Sequence, residues 1–210
     1  MPKPTFHHLS QERQQEILDV ALQEFSARSL HEASVGNITK ELGLSRASFY
    51  KYFENMEELY SYLYHQIASD SHSLLLDALK ESKGDLFKGM QIYVKSMTKE
   101  LFDPRYHGFY RSMFLKIDYG TLTKLESPHQ MDTKAEGPSP NFLEELAKTI
   151  HYEELNLKKE EIRPFFEFLT EITHEIFKKA FFYDWSPEEA EEAFAIRLKW
   201  IEKGIRKEDE

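Results

Sequence analysis

Apolar residues recur at three- and four-residue intervals along most of this chain, which is the spacing of amphipathic helices. The alternation of apolar and polar residues that is typical of strands is not present, and neither is an internal repeat. In the first predicted helix, which Ser10 can cap, the apolar face consists of Ile17, Leu18, Ala21, Leu22 and Phe25. The pattern therefore predicts an all-α fold.

Two shorter apolar stripes follow, and they predict two short helices joined by a tight turn. The stripes consist of Val35, Ile38 and Leu42, then of Phe49, Tyr52 and Phe53. Ser34 and Ser45 precede them, and each hydroxyl can accept a free N–H group at the start of its helix. Gly43 follows the first stripe, where its tolerance of the left-handed conformation suits the end of a helix. Helices this short are unstable alone, so they must pack on the helix before them.

This arrangement is the layout of a helix-turn-helix, whose second helix lies in the major groove of DNA. Between about Arg13 and Leu59 the chain closely resembles the tetracycline-repressor (TetR) family of bacterial transcription regulators. The residues that carry the resemblance are Ile17, Ala21, Phe25, Ala33-Ser34-Val35-x-x-Ile38, Leu42-Gly43-Leu44-Ser45, Ser48-Phe49-Tyr50-x-Tyr52-Phe53 and Glu57-Glu58-Leu59. The chain departs from the family at Ser29, where Gly is usual, and at Met56, where a Lys that contacts the DNA backbone is usual.

The pattern divides the chain into three predicted parts. Residues 1–9 form an N-terminal arm, which is either a disordered tail or a segment whose Lys3 reaches a phosphate. Residues 10–56 form the three-helix DNA-binding head, with the helix-turn-helix motif at about 35–54. Residues 57–210 form a helical domain for effector binding and dimerisation, as the resemblance implies. A long helix from Glu57 to about Ser82 joins head and body as a stiff rod, because no flexible linker separates them.

The acidity of the chain limits how strongly the head can bind DNA without regard to sequence. The formal net charge is −10, and the first 64 residues carry six Lys and Arg against nine Asp and Glu. A uniformly basic surface is therefore not expected, and the local placement of Lys40, Arg46 and Lys51 must supply phosphate contacts. We expect modest non-specific affinity, since each subunit neutralises few phosphate charges.

Eight residues of the helix-turn-helix are candidate DNA contacts. Arg46 and Ser48 lie at the start of the second helix, from which side chains reach base edges, and Arg can bind guanine through two hydrogen bonds. The methyl group of Ala47 can touch a thymine methyl. The resemblance implies phosphate contacts for Tyr50 and Lys51. The alternative for each residue is a solvated surface position. The predicted DNA-binding set is Ser34, Lys40, Ser45, Arg46, Ala47, Ser48, Tyr50 and Lys51.

Helices predicted at 85–119 and 161–183 carry more large apolar side chains than the core of a small bundle needs. The resemblance implies that such helices enclose a ligand chamber, so we expect a small-molecule effector that is largely apolar. The alternative for any single residue is ordinary core packing. The predicted ligand-binding set is Met90, Tyr93, Met97, Phe109, Tyr110, Met113, Phe114, Phe166, Thr170 and His174.

The last two predicted helices, at 161–183 and from Ser186 onward, are apolar on more than one side. The resemblance implies a homodimer in which these helices from two subunits form a four-helix interface. Dimerisation also has a physical reason, because one short helix contacts few bases whereas two can bind the half-sites of a palindrome. The alternative is that the two helices only complete the core of a monomer.

One spacing in the sequence fits a metal site and supplies the rival to a regulator, a helical carboxylate-metal enzyme. Glu171 and His174 are three residues apart, as in the carboxylate-bridged metal sites of helical bundles. Such a site needs a second pair of this kind, which the sequence lacks. P-loop, dinucleotide-binding and Gly-x-Ser-x-Gly motifs are also absent, and so is cysteine. The sequence therefore predicts no catalytic residue, no metal site and no cofactor.

The predicted function is sequence-specific regulation of transcription. We expect a repressor that an apolar effector releases from a palindromic operator, and the alternatives are an effector-independent regulator or an activator of the same architecture. The expected partners are double-stranded DNA, the effector and a second copy of the chain. The N-terminus lacks a signal peptide, and no apolar run approaches the roughly 18 residues that cross a bilayer. We therefore expect a cytoplasmic protein without a membrane partner.

Overall fold

The computed structural model of the chain describes residues 2–67, 71–116, 145, 146, 148–151 and 155–205, most of which are helical. The helices are α1 (Pro4–His7), α2 (Gln11–Ala27), α3 (Val35–Glu41), α4 (Arg46–Tyr52), α5 (Met56–Ile67), α6 (Ser71–Glu81), α7 (Leu86–Leu101), α8 (His107–Lys116), α9 (Ile162–Tyr183) and α10 (Pro187–Ile205). A 3-10 turn, Lys159–Glu161, precedes α9, and residues 145, 146, 148 and 149 are also helical. The all-α prediction is confirmed.

The internal contacts divide the chain into two compact units. Unit 1 comprises Met1–Ala68 and Asp103–Lys134, and unit 2 comprises Ser69–Phe102 and Ala135–Glu210. The helices α1–α5 and α8 thus belong to unit 1, whereas α6, α7, α9 and α10 belong to unit 2. The functional boundary that the sequence suggests between residues 56 and 57 is a different division, and it stays a prediction.

The three helices of the head begin at the serines that the sequence predicts. The hydroxyl groups of Ser10, Ser34 and Ser45 each accept a hydrogen bond from the backbone N–H three residues later, at 3.1–3.3 Å. Gly43, in the turn between α3 and α4, has a φ of +63°. The apolar side chains that form the core of the head, each at most 8% exposed, are Ile17, Leu18, Ala21, Leu22, Phe25, Val35, Ile38, Leu42, Phe49 and Phe53.

Unit 1 extends beyond the head because α5 and α8 also pack on α2. The ring centroid of Tyr60 in α5 lies 4.8 Å from that of Phe25 and 4.9 Å from that of Phe109. Gly108 allows α8 to approach α2 closely, since a Cβ atom at this position would lie 3.0 Å from the Cβ atom of Ser26. The helix α2 is therefore in contact with α3, α5 and α8.

The N-terminal residues differ from the predicted arm. Residues 4–7 form α1, which packs against α4, and Phe6 is fully buried. Its ring centroid lies 4.9 Å from that of Phe53 and 5.5 Å from that of Tyr62. Burial of a Phe side chain contributes about 1.5–3 kcal/mol, which helps to offset the entropy lost by ordering the segment. A disordered tail is therefore the wrong prediction for residues 2–9.

The long helix predicted from Glu57 to about Ser82 coincides with α5 and α6. Residues 68–70 lie outside the described part of the chain, α5 belongs to unit 1, and α6 belongs to unit 2. The stiff connection between head and body therefore stays a prediction. The sequence also predicts a loop from Gly120 to Pro140, which contains three prolines and two glycines, and a short helix from Asn141 to His151. The loop lies outside the described residues, as do residues 117–119 and 141–144 of the predicted helices on either side of it.

Unit 2 is a helical bundle in which α7 packs on both α6 and α10, and α9 packs on α10. Asp85 caps α7 by accepting a 3.0 Å hydrogen bond from the backbone N–H three residues later. At the start of α10, Ser186 and Glu189 form a capping box, in which each side chain accepts a hydrogen bond from the other residue's backbone N–H. The rings of Phe102 and Phe181 stack with centroids 5.3 Å apart. None of the described helices is long and apolar enough to span a lipid bilayer.

Candidate nucleic-acid interface

The helix α4, second in the helix-turn-helix, turns one side to the core and the other to solvent. Phe49 is 3% exposed and fixes the inner side in the core of the head. Arg46, Ala47 and Lys51 are exposed, and Tyr50 keeps 47% of its surface accessible. The helix is therefore presented as a short ridge on which four of the predicted contact residues are accessible to a partner.

Two serines fix the N-terminal end of α4. Ser45 accepts a 3.1 Å hydrogen bond from Ser48 N, and the hydroxyl oxygens of the two residues lie 2.9 Å apart. Ser45 is exposed and Ser48 is half-buried. Because a hydroxyl group has one donor and two acceptor sites, the pair retains hydrogen-bonding capacity for a phosphate oxygen or a base edge.

Hydrogen bonds close the turn between α3 and α4. Leu44 N donates to Thr39 O at 2.8 Å, and the guanidinium group of Arg13 in α2 donates to Leu42 O at 3.2 Å. These bonds tie the turn to itself and to α2, so they help to set the direction in which α4 leaves the core. Lys40 is exposed in the last turn of α3, which makes its ammonium group accessible to a phosphate.

A buried carboxylate of α2 holds the start of α3, and no sequence-based prediction included it. Glu24 is 7% exposed, and its Oε1 atom accepts from Ser34 N at 3.1 Å and from Asn37 Nδ2 at 2.8 Å. Its Oε2 atom accepts from Arg28 at 2.7 Å. The predicted DNA contact Ser34 therefore points its backbone N–H into the protein. The sequence offered one signal of this role, since Glu24 is a charged residue next to Phe25 on the apolar face of α2.

The N-terminal residues close the opposite end of α4. Lys3 N donates to Tyr52 O at 2.8 Å, and Lys3 Nζ donates to Tyr50 O at 2.8 Å. The hydroxyl group of Thr5 donates to Lys51 O. Lys3, which the sequence suggests as a phosphate contact or as part of a tail, is thus bound to α4 itself. No local sequence pattern predicts these contacts, because more than 45 residues separate the partners.

The segment between α2 and α3 carries a perturbed carboxylate. The pKa of Glu32 is lowered to about 2, first by a hydrogen bond from Ser29 N at 3.0 Å and then by the Ser29 hydroxyl group at 2.8 Å. The ammonium group of Lys116, 3.4 Å away at the end of α8, lowers the pKa further. Glu32 is therefore ionised at neutral pH, and its ion pair joins α8 to the segment that leads into the helix-turn-helix.

The predicted ligand-binding residues are divided between the two units. In unit 2, Met90 and Phe166 are buried, Tyr93, Met97 and His174 are half-buried, and Thr170 is exposed. In unit 1, Phe109, Tyr110 and Met113 are buried and Phe114 is half-buried. Phe109 stacks on Tyr60, so it serves as a core residue of unit 1 whatever else it does. The assignment of these ten residues to a ligand stays a prediction.

Two clefts in the described part of the chain lie in unit 1, and none of those ten residues lines either of them. The smaller one, of about 130 Å³, is lined by Gln15, Leu18, Asp19, Leu22, Leu63, Gln66, Ile67, Arg105 and Tyr106. It contains an ion pair in which Arg105 donates to Asp19 at 2.8 Å. No sequence pattern indicates this cleft, because Asp19 and Arg105, which form its ion pair, are 86 residues apart.

Unit 2 leaves large apolar side chains exposed on its last two helices. Phe168 and Phe182 on α9 are 45% and 64% exposed, and Ile196 and Trp200 on α10 are 44% and 66% exposed. Exposed aromatic residues in such number are typical of a surface that another protein covers. On α9, Glu171 is exposed and His174 is half-buried, and within the described residues no group of three or more His, Asp or Glu could hold a metal ion.

Two family models match the chain. The one described as "Bacterial regulatory proteins, tetR family" matches residues 17–63, which include the helix-turn-helix. The one described as "Tetracyclin repressor-like, C-terminal domain" matches residues 85–205, more than half of the chain. Both models belong to the same family, and together they cover most of the two units.

Two curated relatives are similar over shorter regions. The HTH-type transcriptional regulator AcrR of Shigella flexneri is 34% identical over 76 residues, which are 36% of this chain and 35% of that protein. The uncharacterized HTH-type transcriptional regulator YdgC of Bacillus subtilis is 36% identical over 62 residues, 30% of each chain. The chain thus spans about a third of the length of the curated relatives that it matches.

Solved structures are similar along nearly the whole chain. A TetR family transcriptional regulator from Chloroflexus aurantiacus has a TM-score of 0.54 at 17% identity, over 99% of this chain and 100% of that one. A TetR family transcription regulator from Marinobacter aquaeolei has a TM-score of 0.52 at 16% identity, over 93% and 96%. At such identities the similarity establishes the fold.

Proposed function

Since the chain belongs to the TetR family of DNA-binding transcription regulators, we propose that it represses transcription from a palindromic operator as a homodimer, and that a small, largely apolar effector releases it. The observation that carries this proposal is the presentation of α4. Its inner side is anchored in the core by Phe49, and its outer side exposes Arg46, Tyr50 and Lys51. A helix held in this way can enter a major groove without rearrangement of the head.

Each exposed residue has a role that suits its chemistry. Arg46 and Ser48, at the start of α4, contact base edges, and Ala47 contacts a thymine methyl group. Tyr50 and Lys51 bind phosphates, together with Lys40 from the end of α3. The capping residues Ser34 and Ser45 place helix N-termini where further phosphate oxygens can bind. Base contacts then supply the sequence preference, and phosphate contacts supply the register on the duplex.

The exposed apolar side chains of α9 and α10 support the homodimer. Phe168, Phe182, Ile196 and Trp200 are too large and too exposed to be favourable in water, so a second copy that covers them gains hydrophobic free energy. Pairing also presents two copies of α4, which fit two half-sites of a palindrome. A dimer is expected in sedimentation at micromolar concentration, and Trp200→Glu should weaken it.

The proposed effector acts through unit 2, where α7 and α9 carry Met90, Tyr93, Met97 and Phe166 among the predicted ligand-binding residues. A chamber of such side chains suits a largely apolar molecule. The effector releases DNA only to the extent that it binds the DNA-free conformation more tightly than the DNA-bound one. Regulators of this family are generally not enzymes, and we propose no catalytic role. A regulator that binds the bacterial chromosome acts in the cytoplasm, and we place this one there.

An effector-independent regulator, or an activator, of the same architecture is the second candidate. The packing of Phe109 against Tyr60 favours it, because a residue predicted to line the ligand chamber fills a core instead. The two candidates differ in one property, since only the first releases operator DNA when a ligand is added. A thermal-shift screen of apolar ligands, followed by DNA release with each hit, separates them.

The experiment that tests the proposed function is selection of bound duplexes from a random pool at fixed salt. We expect a palindromic consensus with half-sites about one helical turn apart. Lys51→Met should weaken binding to all duplexes alike, and it should reduce the slope of log affinity against log salt by about 1 for each phosphate that is no longer neutralised. A pool that shows no enrichment at low salt contradicts the proposal.

A further inference from the structure

We infer that residues 2–9, here called the N-terminal strap, are a positioning element for DNA recognition, because they supply the hydrogen-bond donors that complete the C-terminal end of α4. The inference rests on the proposed function, since it assigns residues outside the helix-turn-helix to the same DNA-reading site. Lys3 and Thr5 are the residues that carry it.

The last four carbonyl groups of an α-helix have no partner within the helix. In α4 these belong to residues 49–52. Phe49 O accepts a 3.0 Å hydrogen bond from the backbone N–H of Phe53, the residue that follows the helix. The other three carbonyl groups accept from the strap, two from Lys3 at 2.8 Å and the third, that of Lys51, from the hydroxyl group of Thr5. The end of the recognition helix is therefore fully bonded, and the strap provides three of its four bonds.

The strap is itself held firmly enough to serve as a support. Phe6 is fully buried, with its ring 4.9 Å from that of Phe53 and 5.5 Å from that of Tyr62. At the far end of the strap, the side-chain amide of Gln14 in α2 donates to Leu9 O at 2.9 Å. The strap thus connects α4 to both α5 and α2.

This support matters because α4 has only seven residues, and a helix of that length frays without tertiary contacts. Its last turn carries Tyr50 and Lys51, the proposed phosphate contacts. The ammonium group of Lys3 also favours the helical state, since it lies at the negative end of the helix dipole. Loss of the strap bonds should therefore loosen the turn that sets the register of α4 on the duplex.

A direct phosphate contact by Lys3 is the competing explanation, and the charge distinguishes the two. If Lys3 contacts a phosphate, DNA binding depends on the charge of Lys3 and does not depend on Thr5. If the strap supports α4, DNA binding depends on both residues. Replacement of Thr5 then lowers the affinity without changing its salt dependence, because no charge is removed. Thr5→Val removes the hydroxyl donor at nearly constant volume, and Thr5→Ser retains it.

The experiment compares wild type, Thr5→Val, Thr5→Ser and Lys3→Met for binding to the selected operator and to a scrambled duplex over a range of salt. Thr149→Val is the matched control, because it also removes a hydroxyl group that donates to a backbone carbonyl, at 2.8 Å in unit 2. We expect Thr5→Val to lose about fivefold in operator affinity with an unchanged salt slope, and to lose less on the scrambled duplex, because sequence-independent binding does not require one register of α4. Thr5→Ser and Thr149→Val should bind as wild type.

Three outcomes would overturn the inference. Wild-type affinity in Thr5→Val, together with a smaller salt slope in Lys3→Met, would assign Lys3 to a phosphate. An equal loss on operator and scrambled duplex in Thr5→Val would indicate general damage to the head. The third outcome concerns hydrogen exchange in the DNA-free protein, where we expect Thr5→Val to speed exchange of the amides at residues 50–53 about fivefold. Exchange at the wild-type rate would overturn the inference. This last measurement needs no operator, so it tests the strap even if the proposed function fails.

Discussion

The carboxylate of Glu24 accepts a 2.8 Å hydrogen bond from the side-chain amide of Asn37, thirteen residues further along the chain. The same oxygen accepts a 3.1 Å bond from Ser34 N, so one buried atom of α2 holds both the cap and the first turn of α3. The second oxygen accepts from Arg28 at 2.7 Å, which places a cation beside the buried charge. The helix α3 is therefore positioned by a polar contact as well as by its apolar side.

Replacement of this carboxylate should destabilise the head. Glu24→Leu is expected to lower the free energy of unfolding by about 2 kcal/mol, because it leaves two donors of α3 without an acceptor. Asn37→Ala alone should cost about 1 kcal/mol, and the double variant should show a coupling energy of about 1 kcal/mol. Urea unfolding of the four proteins measures the cycle. Gln23→Leu, at the exposed neighbouring position, is the control, and strict additivity of the two effects would contradict the contact.

Gly43 should be required for its backbone conformation alone. Its φ is +63°, and an added Cβ atom would meet nothing within 4 Å. Gly43→Ala is therefore expected to cost about 1 kcal/mol of unfolding free energy, all of it from the left-handed conformation. Gly36→Ala in α3 is the matched control, since its φ is not positive and its nearest neighbour is 3.7 Å away, and it should gain up to about 1 kcal/mol. Equal effects of the two substitutions in thermal or urea unfolding would refute this explanation.

The hydroxyl group of Tyr60 should lower the free energy of unfolding, because it destabilises the core of unit 1. It is buried without a hydrogen-bond partner among the described residues, and burial raises the pKa of this phenol. Tyr60→Phe is therefore expected to raise the free energy of unfolding by about 1 kcal/mol, because it removes an unsatisfied polar group and retains the ring. Tyr110→Phe is the control, since it removes a hydroxyl group that donates to Ile67 O at 3.5 Å, and it should not stabilise. A destabilised Tyr60→Phe protein would show that the hydroxyl group has a partner.

The stability of the protein should depend on the ionisation of Glu32 in acid. The pKa of Glu32 is about 2 in the folded state against an ordinary value of 4.5, so folding favours its ionised form. The stability that it contributes is complete above pH 4.5 and is lost as the pH falls from about 4.5 to about 2. Glu32→Gln should flatten the curve of unfolding free energy against pH within this window. Ser29→Ala should flatten it only in part, because the backbone N–H of Ser29 still donates, and an unchanged curve in Glu32→Gln would contradict the assignment.

Local sequence patterns predicted much of the fold, but they did not predict the polar contacts between residues far apart in the chain. The caps at Ser10, Ser34, Ser45 and Ser186 depend on residues three positions away, so the sequence displays them directly. The bonds between Lys3 and α4 join residues 47 or more positions apart, and no periodicity reports such a pairing. A tail was therefore the natural expectation for a segment with two prolines and two histidines, and the burial of Phe6 in the core overturns it.

The candidate site shows the same division. The exposure of Arg46, Tyr50 and Lys51 follows from helical spacing around Phe49, which the sequence displays. The role of Glu24 does not follow from helical spacing. To predict it, one must know which hydrogen-bond donors the fold brings to an acidic residue on an apolar face. Packing of α8 on α2 was also unpredictable, since it joins helices about 80 residues apart by a close contact at Gly108.

The most direct test concerns α4 as the element that distinguishes one DNA sequence from another. The measurement is the ratio of affinities for the selected operator and for the same duplex with both half-sites scrambled, in wild type and in Arg46→Ala at one salt concentration. We expect a wild-type ratio of about a thousand or more, and a loss of about 1–3 kcal/mol of that preference in Arg46→Ala, centred on one base pair of each half-site. Equal wild-type affinity for the two duplexes, or a preference that Arg46→Ala leaves unchanged, would contradict recognition by this helix.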